Sequence, residues 1–76
     1  MSEKQQILYM QTRMIRNASE KWNRPIEIIS ELFEKYDVLQ YIEDCFELFH
    51  VEGDEAILED VTEYLENKGW SEQIWL

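Results

Sequence analysis

The chain has 76 residues, 45% of them hydrophobic, with 17 acidic against 7 basic side chains and a formal net charge of −10. That length supports one domain around a modest core, and that charge argues against direct nucleic-acid binding, because affinity for phosphate backbones comes largely from lysine and arginine displacing counterions. Cys45 is the only cysteine, so an intrachain disulfide framework is excluded as well.

Apolar residues recur at steps of three and four almost throughout, and Gly and Pro are scarce, which is helix periodicity rather than strand alternation. The first helix is predicted over roughly 3–22, with Ile7, Met10, Met14, Ala18 and Trp22 in one stripe and Leu8 and Ile15 widening it. Asn23 and Arg24 interrupt the pattern before Pro25, whose fixed φ and missing N–H suit the first turn of a second helix over about 25–36. Ile29, Leu32, Phe33 and Tyr36 share a face there. Asp37 is placed to cap a third helix over 38–49 through its carboxylate. On that helix Val38, Ile42, Phe46 and Phe49 form one stripe, and Tyr41, Cys45 and Leu48 form a second beside it. So wide an apolar arc predicts that the third helix is central. Its acids Glu43, Asp44 and Glu47 are left outward, with Glu43 and Glu47 one turn apart and repelling.

Val51, Glu52 and Gly53 make the next break, and Asp54 reads as the N-cap of a fourth helix over 55–68, with Glu55 complementing the positive pole of the helix dipole. Ile57, Leu58, Val61, Tyr64 and Leu65 form its apolar face. Gly69 fits the left-handed position after its end, with Lys68 just before it. The tail 70–76 is short but rich in apolar residues, namely Trp70, Ile74, Trp75 and Leu76. It either folds back across a groove or helps to build a contact surface. The expected architecture is thus an all-α, compact four-helix domain over 1–76, with short connections and an apolar C-terminal tail.

Charge is unevenly spread along the chain. Residues 1–24 hold five cations against two carboxylates, a balance of +3, whereas residues 25–76 hold two against fifteen, a balance of −13. Such an acidic surface suits a partner protein with a basic patch, or the positive first helix of a second copy. The plainer reading is that the carboxylates are solvated helix faces that keep a small protein soluble. No apolar run approaches the ~18 residues of a membrane span, and the opening residues have no signal-peptide core. With a single thiol, this predicts a cytoplasmic protein that does not engage membranes.

The stretch from Glu31 to Leu65 resembles a family of small bacterial proteins catalogued as domain of unknown function three-seven-nine-one. The resemblance rests on Leu32-Phe33-x-x-Tyr36, Tyr41-Ile42, Leu48-Phe49-His50, Gly53, and Ile57-x-x-Asp60-Val61-x-x-Tyr64-Leu65. Where this chain has Phe49-His50-Val51, the family usually shows Leu-His-Thr, a departure that falls on the loop after the third helix. The family has no settled activity and no agreed catalytic residues. Its genes neighbour genes for proteins similar to ADP-ribosyltransferases, so the resemblance implies an antitoxin-like or accessory subunit.

His50 is the only histidine and therefore the first candidate for acid–base chemistry. At the end of a helix it has a structural alternative, which is to meet the negative pole or bond a terminal carbonyl. Cys45 lies five residues earlier, about 140° away around a helix, which disfavours a Cys–His pair. Asp54, Glu55, Glu59 and Asp60 lack the alternating ligands and central glycine of a calcium loop, so neither a metal nor a cofactor is expected. Asp60 flanks the apolar stripe and is expected to bond an arginine or a tyrosine inside the domain. The reading that fits best is a non-catalytic interaction module whose partner contacts combine Glu43, Asp44 and Glu47 with Trp70 and Trp75, while His50, Gly53, Asp60 and Tyr64 carry the family motif. A structural homodimer is the alternative, and a small enzyme using His50 the third.

Overall fold

The computed structural model describes residues 2–75, the last two by backbone alone, and among these it contains helices and short connections with no strand. In chain order the elements are α1 (Glu3–Trp22), α2 (Ile26–Lys35), α3 (Val38–Asp44), α4 (Phe46–Phe49) and α5 (Asp54–Asn67), followed by a 3-10 turn over Glu72–Trp75. The all-α expectation holds, with one correction to the helix plan. The third helix, expected unbroken over 38–49, is interrupted at Cys45 (φ −100°, ψ 9°) and forms α3 and α4. Glu43 and Asp44 occupy the last turn of α3, where carboxylates oppose the negative pole of the dipole and favour termination. The chain re-enters a short helix at once, and both Phe46 and Phe49 reach the core from it.

Particular residues shape several of the helix ends. At the start of α1, Ser2 Oγ accepts from the Gln5 N–H at 3.2 Å and Gln5 Oε1 accepts from the Ser2 N–H at 3.1 Å, a reciprocal capping box. Asp37 does not cap α3 through its carboxylate as expected. It adopts the left-handed conformation (φ 56°) that ends α2, which an aspartate tolerates better than most residues. Asp54 is likewise not the N-cap of α5. Gly53 holds that position and Asp54 begins the helix, so its carboxylate is free to bond elsewhere.

One hydrophobic cluster gathers Met10, Met14, Ala18 and Trp22 of α1, Ile29, Leu32 and Phe33 of α2, Val38 and Ile42 of α3, Phe46 and Phe49 of α4, and Ile57, Leu58, Val61 and Leu65 of α5. The principal stripe on each helix is therefore the one its periodicity predicts, and α3 packs against α1, α2 and α5 as a central element should. Two expected core residues are corrected. Leu8 is 61% exposed and Leu48 is 67% exposed, because both sit at the margin of an apolar arc where no neighbouring helix covers them.

The tail is anchored by a Schellman turn. Gly69 (φ 98°) takes the left-handed position, its N–H donates to Glu66 O at 3.0 Å, and the Trp70 N–H donates to Leu65 O at 3.0 Å. This reversal lays Trp70 against Trp22 with ring centroids 4.9 Å apart. Trp70 is 3% exposed, so it belongs to the core and not to an open contact surface. Among the described residues, no helix is long and apolar enough to cross a membrane.

Candidate functional site: an acidic aromatic groove

The second stripe of the broken helix, Tyr41, Cys45 and Leu48, does not enter the core. It forms one wall of a groove of about 360 Å³ whose opposite wall is the flank of α5 carrying Asp60, Tyr64 and Asn67, and the two walls meet at a floor where Tyr41 stacks on Tyr64. Those three residues fall at i, i+4 and i+7, so an α-helix stacks them on one face. The stretch between Phe49 and α5 adds Glu52, and Glu63 completes the acidic rim.

Aromatic stacking fixes the floor. Tyr41 and Tyr64 lie face to face with centroids 4.2 Å apart and planes at 17°, and Phe49 meets Tyr41 edge-on at 5.6 Å and 74°. Tyr64 is pinned from its far end, because its hydroxyl donates to Tyr36 O at 2.8 Å. The Lys68 ammonium sits 5.5 Å over the Tyr64 ring, so this chain already places one cation on the aromatic wall.

The groove is electrically negative. The carboxylates of Asp60, Glu63 and Glu52 make no ion pair or hydrogen bond among the described residues, so the bond expected from Asp60 to an internal arginine or tyrosine is not made. The effect appears on Tyr41, whose phenol is pushed up from 10.0 to about 12, first by burial and then by Cys45, Asp60, Glu63 and Glu52. Burial also pushes the Cys45 thiol up, with Asp44 and Asp60 adding to it. A thiol held protonated in this way is a poor nucleophile.

The sequence-predicted residues are scattered by comparison. Glu43, Asp44 and Glu47 are exposed on the outer side of α3 and α4, with Glu43 beside Lys4 and Leu8 at the N-terminal end of α1. Gln40 Nε2 donates to Asp44 at 2.9 Å. Trp70 packs on Trp22 at the other end of α1, roughly 27 Å away along the helix. It therefore does not flank those acids, and the side chain of Trp75 lies outside the described residues. His50 closes α4 with Nδ1 3.1 Å from Phe46 O, which makes Nδ1 the donor, and its ring stacks on Phe46 at 5.4 Å. It lines a separate shallow depression with Tyr9 and Arg13, apart from Cys45 in the groove. Gly53 is the α5 N-cap. Asp54 receives Arg13 Nε at 2.9 and 3.0 Å and Asn17 Nδ2 at 3.2 Å, a link that ties α1 to the start of α5. Of His50, Gly53, Asp60 and Tyr64, the last two line the groove, and so do Tyr41, Leu48 and Phe49 from the other stretches that carry the family resemblance. The groove members Leu48, Glu52, Glu63 and Asn67 were not foreseen as site residues, although the i, i+4, i+7 spacing on each wall was open to view. Among the described residues, no group of three or more His, Cys, Asp or Glu side chains is arranged to hold a metal ion.

The matching family model is that described as Protein of unknown function (DUF3791), over residues 9–68. The chain belongs to this family. Every residue lining the groove falls inside the matched stretch, whereas Trp70 lies beyond it. No curated protein and no solved structure matches the chain.

Proposed function

We propose that the chain is a non-catalytic protein-interaction module that receives a partner protein in the groove between α3–α4 and α5. The observation that supports this most is the combination of three carboxylates lacking a counter-charge among the described residues with a stacked aromatic floor. Exposed Leu48 and Val51 stand beside them as apolar surface that a partner would cover. The same reading puts the module in the cytoplasm, where a lone thiol stays reduced. The narrower role of an antitoxin-like or accessory subunit of an ADP-ribosyltransferase-like enzyme draws its support from the gene neighbourhood that the family resemblance implies. A homodimer is the second reading, favoured by exposed Leu8 and Tyr9 on the basic first helix.

The test is purification of the tagged chain from its native host, beside a Leu48→Glu variant. Leu48 is too exposed for this change to unfold the domain. A protein retained by the parent and lost by the variant supports the module. A chain that runs as a dimer until Leu8→Glu is introduced supports the second reading instead. A reaction that His50→Gln abolishes without unfolding would replace both with the small-enzyme reading.

A further inference from the structure

We propose that the groove is a receptor for one arginine side chain, presented on a partner segment that also carries an apolar residue against Leu48 and Val51. This rests on the reading of the chain as a protein-interaction module and names the chemistry of what the module holds.

Charge complementarity selects a cation. Glu52, Asp60 and Glu63 line the groove with Tyr41 from two separate segments, and none of the three has a counter-charge among the described residues. The Tyr41 hydroxyl itself has no hydrogen-bond partner among those residues, which leaves a further acceptor in the groove. Burial raises the Tyr41 phenol first, and Cys45 and the same three carboxylates add to it.

Geometry then selects the kind of cation. Guanidinium is planar, presents five donors in a fixed fork, bonds carboxylates on more than one side, and stacks its apolar stem and plane on aromatic rings. The groove offers acceptors on two walls above a floor of Tyr41, Phe49 and Tyr64. An ammonium is a compact point charge that fills fewer of these positions, and Lys68 already supplies one to the far wall without pairing any of the acids. At about 360 Å³ the groove is at the small end of ligand sites, the scale of a side chain rather than a bulky cofactor. The apolar complement follows from position. Leu48 lines the groove and is 67% exposed, and Val51, three residues on, is 77% exposed. The bound segment therefore carries an apolar residue beside its arginine.

The experiment is a nitrogen-15 amide titration of the full chain at low salt with short blocked peptides of the form leucine–arginine, against the same peptide carrying lysine or the neutral isostere citrulline, and against calcium alone. The expected result is saturable shifts at Tyr41, Glu52, Asp60, Glu63 and Tyr64 with the arginine peptide. The lysine peptide binds more weakly, and the citrulline peptide weaker by about tenfold or more. An Asp60→Asn/Glu63→Gln variant loses a similar factor. Equal binding of the arginine and citrulline peptides overturns the proposal. So do shifts confined to Glu43, Asp44 and Glu47, the same pattern from calcium, no shift at millimolar peptide, or groove shifts that grow with protein concentration alone, which would make the occupant a second copy. Failure here with host partner still lost by Leu48→Glu would leave the module standing without its arginine. Loss of neither would remove the module reading as well.

Discussion

Two aromatic pairs divide the molecule. Trp22 and Trp70 meet at 4.9 Å with both residues under 10% exposed, within the hydrophobic core. Tyr41 and Tyr64 meet at 4.2 Å, but at the edge of the core, half-buried and ringed by Glu52, Asp60 and Glu63. Both pairs join distant parts of the chain, and aromatic contact contributes to each. What separates them is the surrounding charge. A buried tryptophan pair packs the core, whereas a tyrosine pair beneath carboxylates that have no ion pair among the described residues keeps a polar, negative surface open to solvent.

The comparison predicts unequal consequences of mutation. Trp70→Ala should cost about 3–5 kcal/mol by emptying the space above Trp22, enough to unfold much of a small domain; a melting temperature equal to the parent's would show that the tail is not structural. Tyr64→Phe removes the hydroxyl bond to Tyr36 O and should cost about 0.5–1.5 kcal/mol in urea unfolding, with the ring pair retained. Asp54→Asn loosens the half-exposed link to Arg13 and should cost no more than about 1 kcal/mol.

A pH experiment sharpens the same contrast. In the unfolded chain the Tyr41 phenol loses its proton near pH 10.0, and in the folded chain near about 12. The folded state therefore binds the extra proton between those values. The stability this contributes is fully present below pH 10 and is lost as pH rises through about 12. Tyrosinate absorbance should show a late phase at about pH 12 that disappears in Tyr41→Phe. In Asp60→Asn/Glu63→Gln it should titrate earlier without returning to the ordinary value, because burial is the larger cause. A late phase that is unchanged in Asp60→Asn/Glu63→Gln would contradict the field assigned to the groove.

Much of this fold is legible in the residues because helix period and core face are one signal. Met10, Met14, Ala18 and Trp22 fall at steps of four, and all are buried. The margin of each arc is less legible. Leu8 and Leu48 carry the same hydrophobic signal as residues beside them, and only the placement of neighbouring helices decides that they stay exposed. Gly69 is readable as a left-handed stop, yet the fate of Trp70 depends on Trp22, nearly fifty residues earlier in the chain. The capping expectations at Asp37 and Asp54 failed for a related reason. A carboxylate near a helix start has competing uses, and at Asp54 the competitor is Arg13 on another helix. The groove was half legible. The spacing of Tyr41, Cys45 and Leu48, and that of Asp60 and Tyr64, each define a wall, but that the walls face one another is set by the packing of α3 on α5, which no local pattern encodes.

The claim that the groove serves a partner rather than the fold is tested most directly by urea unfolding of a Glu52→Gln/Asp60→Asn/Glu63→Gln variant at low salt. These carboxylates make no internal ion pair or hydrogen bond among the described residues, so their neutralisation should leave stability unchanged or slightly raised, the smallest effect in the series. A loss of about 1 kcal/mol or more would mean that the three acids hold the structure together, and the groove would then be part of the scaffold.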